Sequence, residues 1–282
     1  MKHKISFIGA GTMGQGMIKN LAAHGFDVEF FNRTKKEISG AKYVSLDELS
    51  GDVVFICVSN DDALKEMFLG LELRKGQIIV DCGTTSLKRT SWISNECERD
   101  NVDFLDAPIT GSKLGAENGK LLFMAGGDKK TFDSLQEEFN AMGKMSVYCG
   151  ENGMGQRAKH ALNLTQSNIL QGYLEGLILA GKLGVSLDAM QQIMENSAAQ
   201  NGVGSFKLPY IKRRDFNAHF QLWLMSKDLK LAEEEIKELG LDLPLSRMAI
   251  EIFDEAMREG LGKEDFCSIV KLLEKKNKIK IV

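Results

Sequence analysis

Ile5-Ser6-Phe7-Ile8-Gly9-Ala10-Gly11-Thr12-Met13-Gly14 is the stretch on which the fold turns. A short strand-like run leads into Gly-x-Gly-x-x-Gly, and a helical pattern follows at once. In that context Gly9 permits a tight turn, Gly11 lets the backbone approach a pyrophosphate, and Gly14 lets the helix pack against the strand. The new helix turns free N–H groups and a partial positive charge toward the same point. Residues Gly9, Ala10, Gly11, Thr12, Met13 and Gly14 are therefore expected to cradle the phosphates of a dinucleotide.

Outward from this turn, apolar runs at 5–9, 28–31, 53–58, 78–81, 102–106 and 121–125 alternate with polar or amphipathic stretches. The alternation predicts an α/β, Rossmann-type doubly wound N-terminal domain with a mostly parallel sheet. Beyond about residue 150 the pattern changes. From Arg157 to Lys182 there is no proline, and Ala158, Leu162, Ile169, Tyr173 and Leu177 recur at helical spacing, which predicts one long helix ended by Gly184. Further helical segments run from Leu187, Lys227, Pro244 and Lys263. The expected division is a dinucleotide-binding domain over 1–152 and an all-α domain over 153–282.

Composition excludes several classes. A formal charge of −3 gives no broad basic face for nucleic acid. No apolar run approaches the roughly 20 residues of a membrane span, and the N-terminus lacks the h-region of a signal peptide. Cys57, Cys82, Cys97, Cys149 and Cys267 are odd in number and widely spaced, which predicts free thiols in a reducing, cytoplasmic setting. The four histidines form no metal-binding pair, so no metal site is expected.

The end of the second strand chooses between nicotinamide cofactors. An acidic residue there would bind the ribose 2′-hydroxyl of NAD. This chain has Asn32-Arg33-Thr34. Asn32 removes a charge that would repel a 2′-phosphate, Arg33 offers a forked pair of donors, and Thr34 adds a hydroxyl, so NADP(H) is expected over NAD(H). Val58-Ser59-Asn60 and Asp81-Cys82-Gly83-Thr84-Thr85 end two later strands at the same sheet edge. Val58, Ser59, Asn60, Thr84 and Thr85 are candidates for ribose or nicotinamide contacts, although Ser59, Asn60, Thr84 and Thr85 could each equally be a helix cap.

Asp106-Ala107-Pro108-Ile109-Thr110-Gly111-Ser112-Lys113 follows, a strand ending in a turn of small residues suited to an anion. In the long helix, Lys159 and Asn163 stand four residues apart and so share a face, where both can donate to one carbonyl oxygen, although the spacing equally suits a surface lysine beside an unrelated polar residue. Together with Lys227-Asp228-Leu229-Lys230-Leu231-Ala232, these motifs stand in an order that resembles the β-hydroxyacid dehydrogenase family over nearly the whole chain. The resemblance implies a Rossmann-type domain, a long interdomain helix and a helical domain that mediates dimerisation or tetramerisation. It implies Lys159 as the active-site lysine with Asn163 as its partner, Thr84 as a cofactor contact and Lys227 as a lysine near the nicotinamide.

Within that family, Asn32-Arg33-Thr34 and Gly111-Ser112-Lys113 are similar to the glyoxylate/succinic semialdehyde reductase branch. That likeness implies a small carboxylate-bearing aldehyde, or the corresponding hydroxyacid, as substrate. Thr110, Gly111 and Ser112 would hold its carboxylate, with Phe220 and Asp228 at the pocket. Thr110 departs from the serine usual in the family, keeping the hydroxyl and adding a methyl. Leu162 stands where a 6-phosphogluconate dehydrogenase would have histidine, and Lys159 argues against an imine reductase. A 3-hydroxyisobutyrate or other 3-hydroxyacid dehydrogenase remains open, as does a non-catalytic scaffold on the same fold.

Overall fold

A computed structural model describes residues 2–281. Its strands are β1 (Ile5–Ile8), β2 (Val28–Phe31), β3 (Ala41–Tyr43), β4 (Val53–Ile56), β5 (Ile78–Asp81), β6 (Asp103–Asp106), β7 (Ile109–Thr110), β8 (Leu121–Gly127) and β9 (Gly143–Gly150). They form one sheet in the order β3-β2-β1-β4-β5-β6-β8-β7, with β9 added beside β8. Every pair from β3 to β6 is parallel, whereas β8 runs antiparallel to β6 and β7. The order reverses at β1, which pairs with both β2 and β4. In an open parallel sheet that reversal leaves a crevice beyond the carboxyl ends of the strands, where ligands bind.

Central strands buried on both faces read as unbroken apolar runs, and β1, β4 and β5 are buried at every position. Alternate residues serve opposite faces. Phe7, Val53 and Phe55 pack with Met17, Ile18 and Leu21 of α1 (Gly14–Ala23). Ile8, Val54 and Ile56 pack with Leu64, Met67 and Phe68 of α2 (Asp61–Leu69), and with Ile93 and Cys97 of α3 (Leu87–Arg99). Each such side chain contributes roughly 1.5–3 kcal/mol when buried. The short helices α4 (Ser112–Glu117), α5 (Lys129–Ser134) and α6 (Gln136–Met142) complete this part.

The second part is helical: α7 (Met154–Lys182), α8 (Leu187–Glu195), α9 (Gly202–Lys212), α10 (Leu222–Glu238), α11 (Pro244–Arg258) and α12 (Ile269–Asn277). Gly184, at φ +82°, ends α7, and Val185 N–H closes on the Ala180 carbonyl at 2.9 Å. The apolar spacing picks out only part of the buried face of α7: Tyr173 and Leu177 are buried, but the rest of the stripe is not. Ile169 is 36% exposed, whereas Gln156, His160, Asn163 and Ser167 are buried ahead of Leu170, Leu174 and Leu177. The N-terminal half of this helix faces a polar network, so hydrophobicity there does not report burial. The helix expected from Lys227 begins at Leu222. α9 escapes the sequence pattern because it contains Pro209.

The chain divides into compact units Met1–Lys159 and His160–Val282, a boundary inside α7. The first turn of that helix is bound to strand ends of the first unit. Gly153 N–H and Gln156 N–H donate to the two oxygens of Asp106 at 2.6 and 2.8 Å. No helix of the described residues is long and apolar enough to cross a membrane.

Candidate active site

The glycine turn sits at the sheet reversal. Gly9 has φ +98°, and a Cβ there would lie 2.2 Å from the Cys57 carbonyl oxygen. Gly11 differs: a Cβ on it would meet nothing within 4 Å. Packing therefore does not require glycine at 11, whereas a phosphate lying against the backbone does. Ala10 is buried, and Thr12 and Met13 lead into α1. The turn fits a dinucleotide, since it leaves open backbone at Gly11 against which a pyrophosphate can lie.

The loop after β2 carries cations and no carboxylate at its start. Asn32 Nδ2 donates to the Thr34 carbonyl at 2.8 Å, so the amide folds back and orders its own loop. Arg33 is exposed and ion-paired with Glu66 of α2. Lys36 donates to the Ala10 carbonyl at 2.8 Å, which fixes an ammonium over the glycine turn. Lys36 and Glu66 were not legible in the sequence. Neither belongs to a motif, and each is placed by a partner distant in the chain.

Asn60 caps α2, its Oδ1 accepting from Ala63 N–H at 2.9 Å, and Ser86 caps α3. Val58 and Thr84 are half-buried, and Ser59 is exposed beside them. Cys82 is buried, and burial lifts its thiol well above the ordinary range, so it is not a nucleophile.

The small-residue turn follows β7. Gly111 has φ +141° and Ser112 φ +62°, a left-handed conformation uncommon for serine. Lys113 points to solvent and pairs loosely with Glu117 at 3.8 Å. Thr110 and Ser112 are half-buried.

Lys159 and Asn163 lie one turn apart in α7. Lys159 is only 6% exposed and Asn163 is fully buried. In the second unit, Asn163 Nδ2 donates to Asp228 Oδ2 at 2.6 Å. Lys227 Nζ lies 2.7 Å from the other oxygen of that carboxylate, close enough for an ion pair but without hydrogen-bond alignment. Asp228 thus gathers Asn163 and Lys227, joining the α7 motif to the motif that begins at Lys227. Asn163 Oδ1 has no hydrogen-bond partner among the described residues. Phe220 is half-buried. It packs edge-on against Phe266 at 6.0 Å, and its N–H donates to Asp265 at 3.1 Å.

The sequence pattern of the NAD-binding domain of 6-phosphogluconate dehydrogenase matches residues 4–150. That of the NAD-binding domain of NADP-dependent 3-hydroxyisobutyrate dehydrogenase matches residues 153–273. The chain belongs to the β-hydroxyacid dehydrogenase family. It is an NAD(P)-dependent oxidoreductase acting on CH–OH groups. Among family members, it is 30% identical to 2-(hydroxymethyl)glutarate dehydrogenase of Eubacterium barkeri, over 96% of this chain and 95% of that one. It is 29% identical to the chloroplastic glyoxylate/succinic semialdehyde reductase 2 of Arabidopsis thaliana, over 96% and 79%. The structure of Mycobacterium tuberculosis 3-hydroxyisobutyrate dehydrogenase with L-serine superposes with a TM-score of 0.86 at 25% identity, covering 97% of this chain and 99% of that one.

Proposed function

We propose that this family member is an NADPH-preferring reductase of small carboxylate-bearing aldehydes, of the class of succinic semialdehyde and glyoxylate. The observation that carries the reading is the pairing of a nearly buried Lys159 with Asn163 one helical turn on. The chemistry supplied by a bound nicotinamide is hydride exchange with a carbonyl carbon. Lys159 donates a hydrogen bond, and then a proton, to the carbonyl oxygen as negative charge develops there. Asn163, held by Asp228, keeps that oxygen or the lysine in place. Thr110, Gly111 and Ser112 bind the carboxylate through hydroxyl and N–H groups, and Phe220 lines the pocket.

The dinucleotide would rest on Gly9, Ala10, Gly11, Thr12, Met13 and Gly14. Val58, Ser59, Asn60, Thr84 and Lys227 flank its ribose and nicotinamide. Asn32, Arg33 and Thr34, joined by Lys36, take the 2′-phosphate; no acidic residue ends β2 to repel it. The helical unit would serve for assembly into a dimer or tetramer. A second reading, a dehydrogenase working on a 3-hydroxyacid, is favoured by the likeness to the mycobacterial enzyme. It uses the same residues in the opposite direction.

The test is a panel of kcat/KM values with NADPH and NADH for succinic semialdehyde, glyoxylate, 3-hydroxyisobutyrate and uncharged butanal. The proposed reading expects both aldehyde acids to be reduced. Butanal should be poor, because it leaves the carboxylate donors unpartnered. Butanal turned over as well as the acids removes the role of Thr110–Ser112, and faster oxidation of 3-hydroxyisobutyrate selects the second reading.

A further inference from the structure

Gln156 stands in the first turn of α7, three residues before Lys159, and is fully buried. Its carboxamide donates and accepts at once. Oε1 accepts from Thr85 N–H at 3.1 Å, while Nε2 donates to the Gly83 carbonyl at 3.0 Å and to Asp81 Oδ2 at 3.3 Å. These contacts fall on both sides of Thr84. The backbone of the same residue is fixed independently, its N–H donating to Asp106 Oδ2 at 2.8 Å. The turn is also pressed against the strand ends: a Cβ on Gly155 would lie 2.3 Å from the Met124 carbonyl oxygen and 2.4 Å from that of Asp106.

We propose that Gln156 is a positioning residue for the reduction, clamping the Thr84 loop to the helical turn that carries Lys159. The inference rests on the reading of Lys159 and Thr84 given above. One amide then sets the spacing between the group beside the cofactor and the group that handles the proton. Hydride transfer needs near-attack geometry, and a displacement of about 1 Å costs about 10²-fold in rate. Leucine at 156 would fill the volume but leave Thr85 N–H and the Gly83 carbonyl without Gln156 as a partner. Glutamate would restore the clamp only when protonated, because Asp81 from β5 and Asp106 from β6 face it. Asp61 at the start of α2 adds negative charge near Asp81, and the Cys57 thiol stays neutral there.

The experiment compares Q156L, Q156E and K159A in the full chain, by NADPH Kd, steady-state turnover and thermal unfolding. Q156L is expected to lose about 10- to 100-fold in kcat, at a temperature where it remains folded. Its NADPH Kd should change by less than about threefold, because the glycine turn is untouched. Q156E is expected to gain turnover relative to wild type as pH falls from 8 to 5.5, measured at a temperature where thermal unfolding shows it fully folded at every pH, so that the gain is not a recovery of folded protein. Normal kcat in Q156L, or a loss that follows its unfolded fraction, overturns the proposal. So does a Q156E pH profile parallel to wild type, the decisive measurement if Q156L does not fold. If K159A turns over normally, the lysine reading fails; if K159A is inactive and Q156L is normal, only the clamp fails.

Discussion

Two buried carboxylate sites, one in each unit, solve the same problem in opposite ways. In the first unit, Asp81 and Asp106 are register neighbours at the ends of β5 and β6, and both are fully buried. Their partners are neutral. Asp81 accepts from Gly83 N–H, the Thr85 hydroxyl and Gln156, and Asp106 accepts from Gly153 and Gln156 N–H groups. Burial dominates and lifts each carboxyl to about 7, against the pull of those donors. In the second unit, Asp265 is as deeply buried but faces the Lys207 ammonium at 2.8 Å. Burial pushes its carboxyl upward too, yet Lys207 and the N–H groups outweigh it and hold the group below its ordinary range. A cation, and not depth, decides whether a buried aspartate keeps its proton.

Breaking the cationic site should have the largest effect on stability. Lys207→Met leaves Asp265 charged and unpaired, at a cost of about 3–5 kcal/mol in unfolding free energy. The double variant with Asp265→Asn should recover much of it. Denaturant unfolding that finds the single variant no worse than the double would show that the pair is uncoupled. Asp265 also accepts from His219 and Phe220 N–H groups, so K207M should raise substrate KM as well.

The neutral site predicts a pH dependence of the opposite sign from a paired carboxylate. Where a folded carboxyl has its pKa raised, the folded chain binds more protons than the unfolded chain between about pH 4 and 7. The stability is therefore full below about pH 4 and is lost as pH rises through about 7, by up to about 1.4 kcal/mol per pH unit for each carboxyl. Asp265 acts the other way, its contribution falling away in acid as its lowered pKa is passed. Unfolding measured from pH 5 to 7.5 should show a decline that Asp106→Asn makes shallower. A wild-type profile that rises across this range would contradict the uncompensated character of Asp81 and Asp106.

The exposed pair Arg33–Glu66, 62% and 59% exposed, sets the lower end of the scale. Such pairs are worth at most about 1 kcal/mol. Glu66→Gln frees Arg33 and is expected to tighten NADPH binding by up to about fivefold while leaving NADH unchanged. Equal tightening of both cofactors would mean that the pair acts on the loop and does not read the 2′-phosphate.

What the sequence made legible was local. The glycine turn is contiguous and flanked by its strand and helix, and Lys159 with Asn163 is a four-residue spacing on one helix. The strands β1, β4 and β5 were legible because both-face burial leaves nearly continuous apolar runs, and β2 because only Glu29 interrupts its apolar residues. What stayed hidden depends on partners far along the chain. Nothing at 156 announces contact with Asp81, Gly83 and Thr85, and nothing at 228 announces Asn163. Likewise β3, β7 and β9 are short or irregular additions whose pairing comes from neighbours, and Pro209 conceals α9.

The open space beside Gly11 separates being well folded from being useful. A methyl group there has no described protein atom within 4 Å to displace. A chain carrying alanine at 11 would face little objection from chaperones and proteases, which act on unfolding. A lineage could carry such a change at full abundance, with the defect felt only where the dinucleotide must lie.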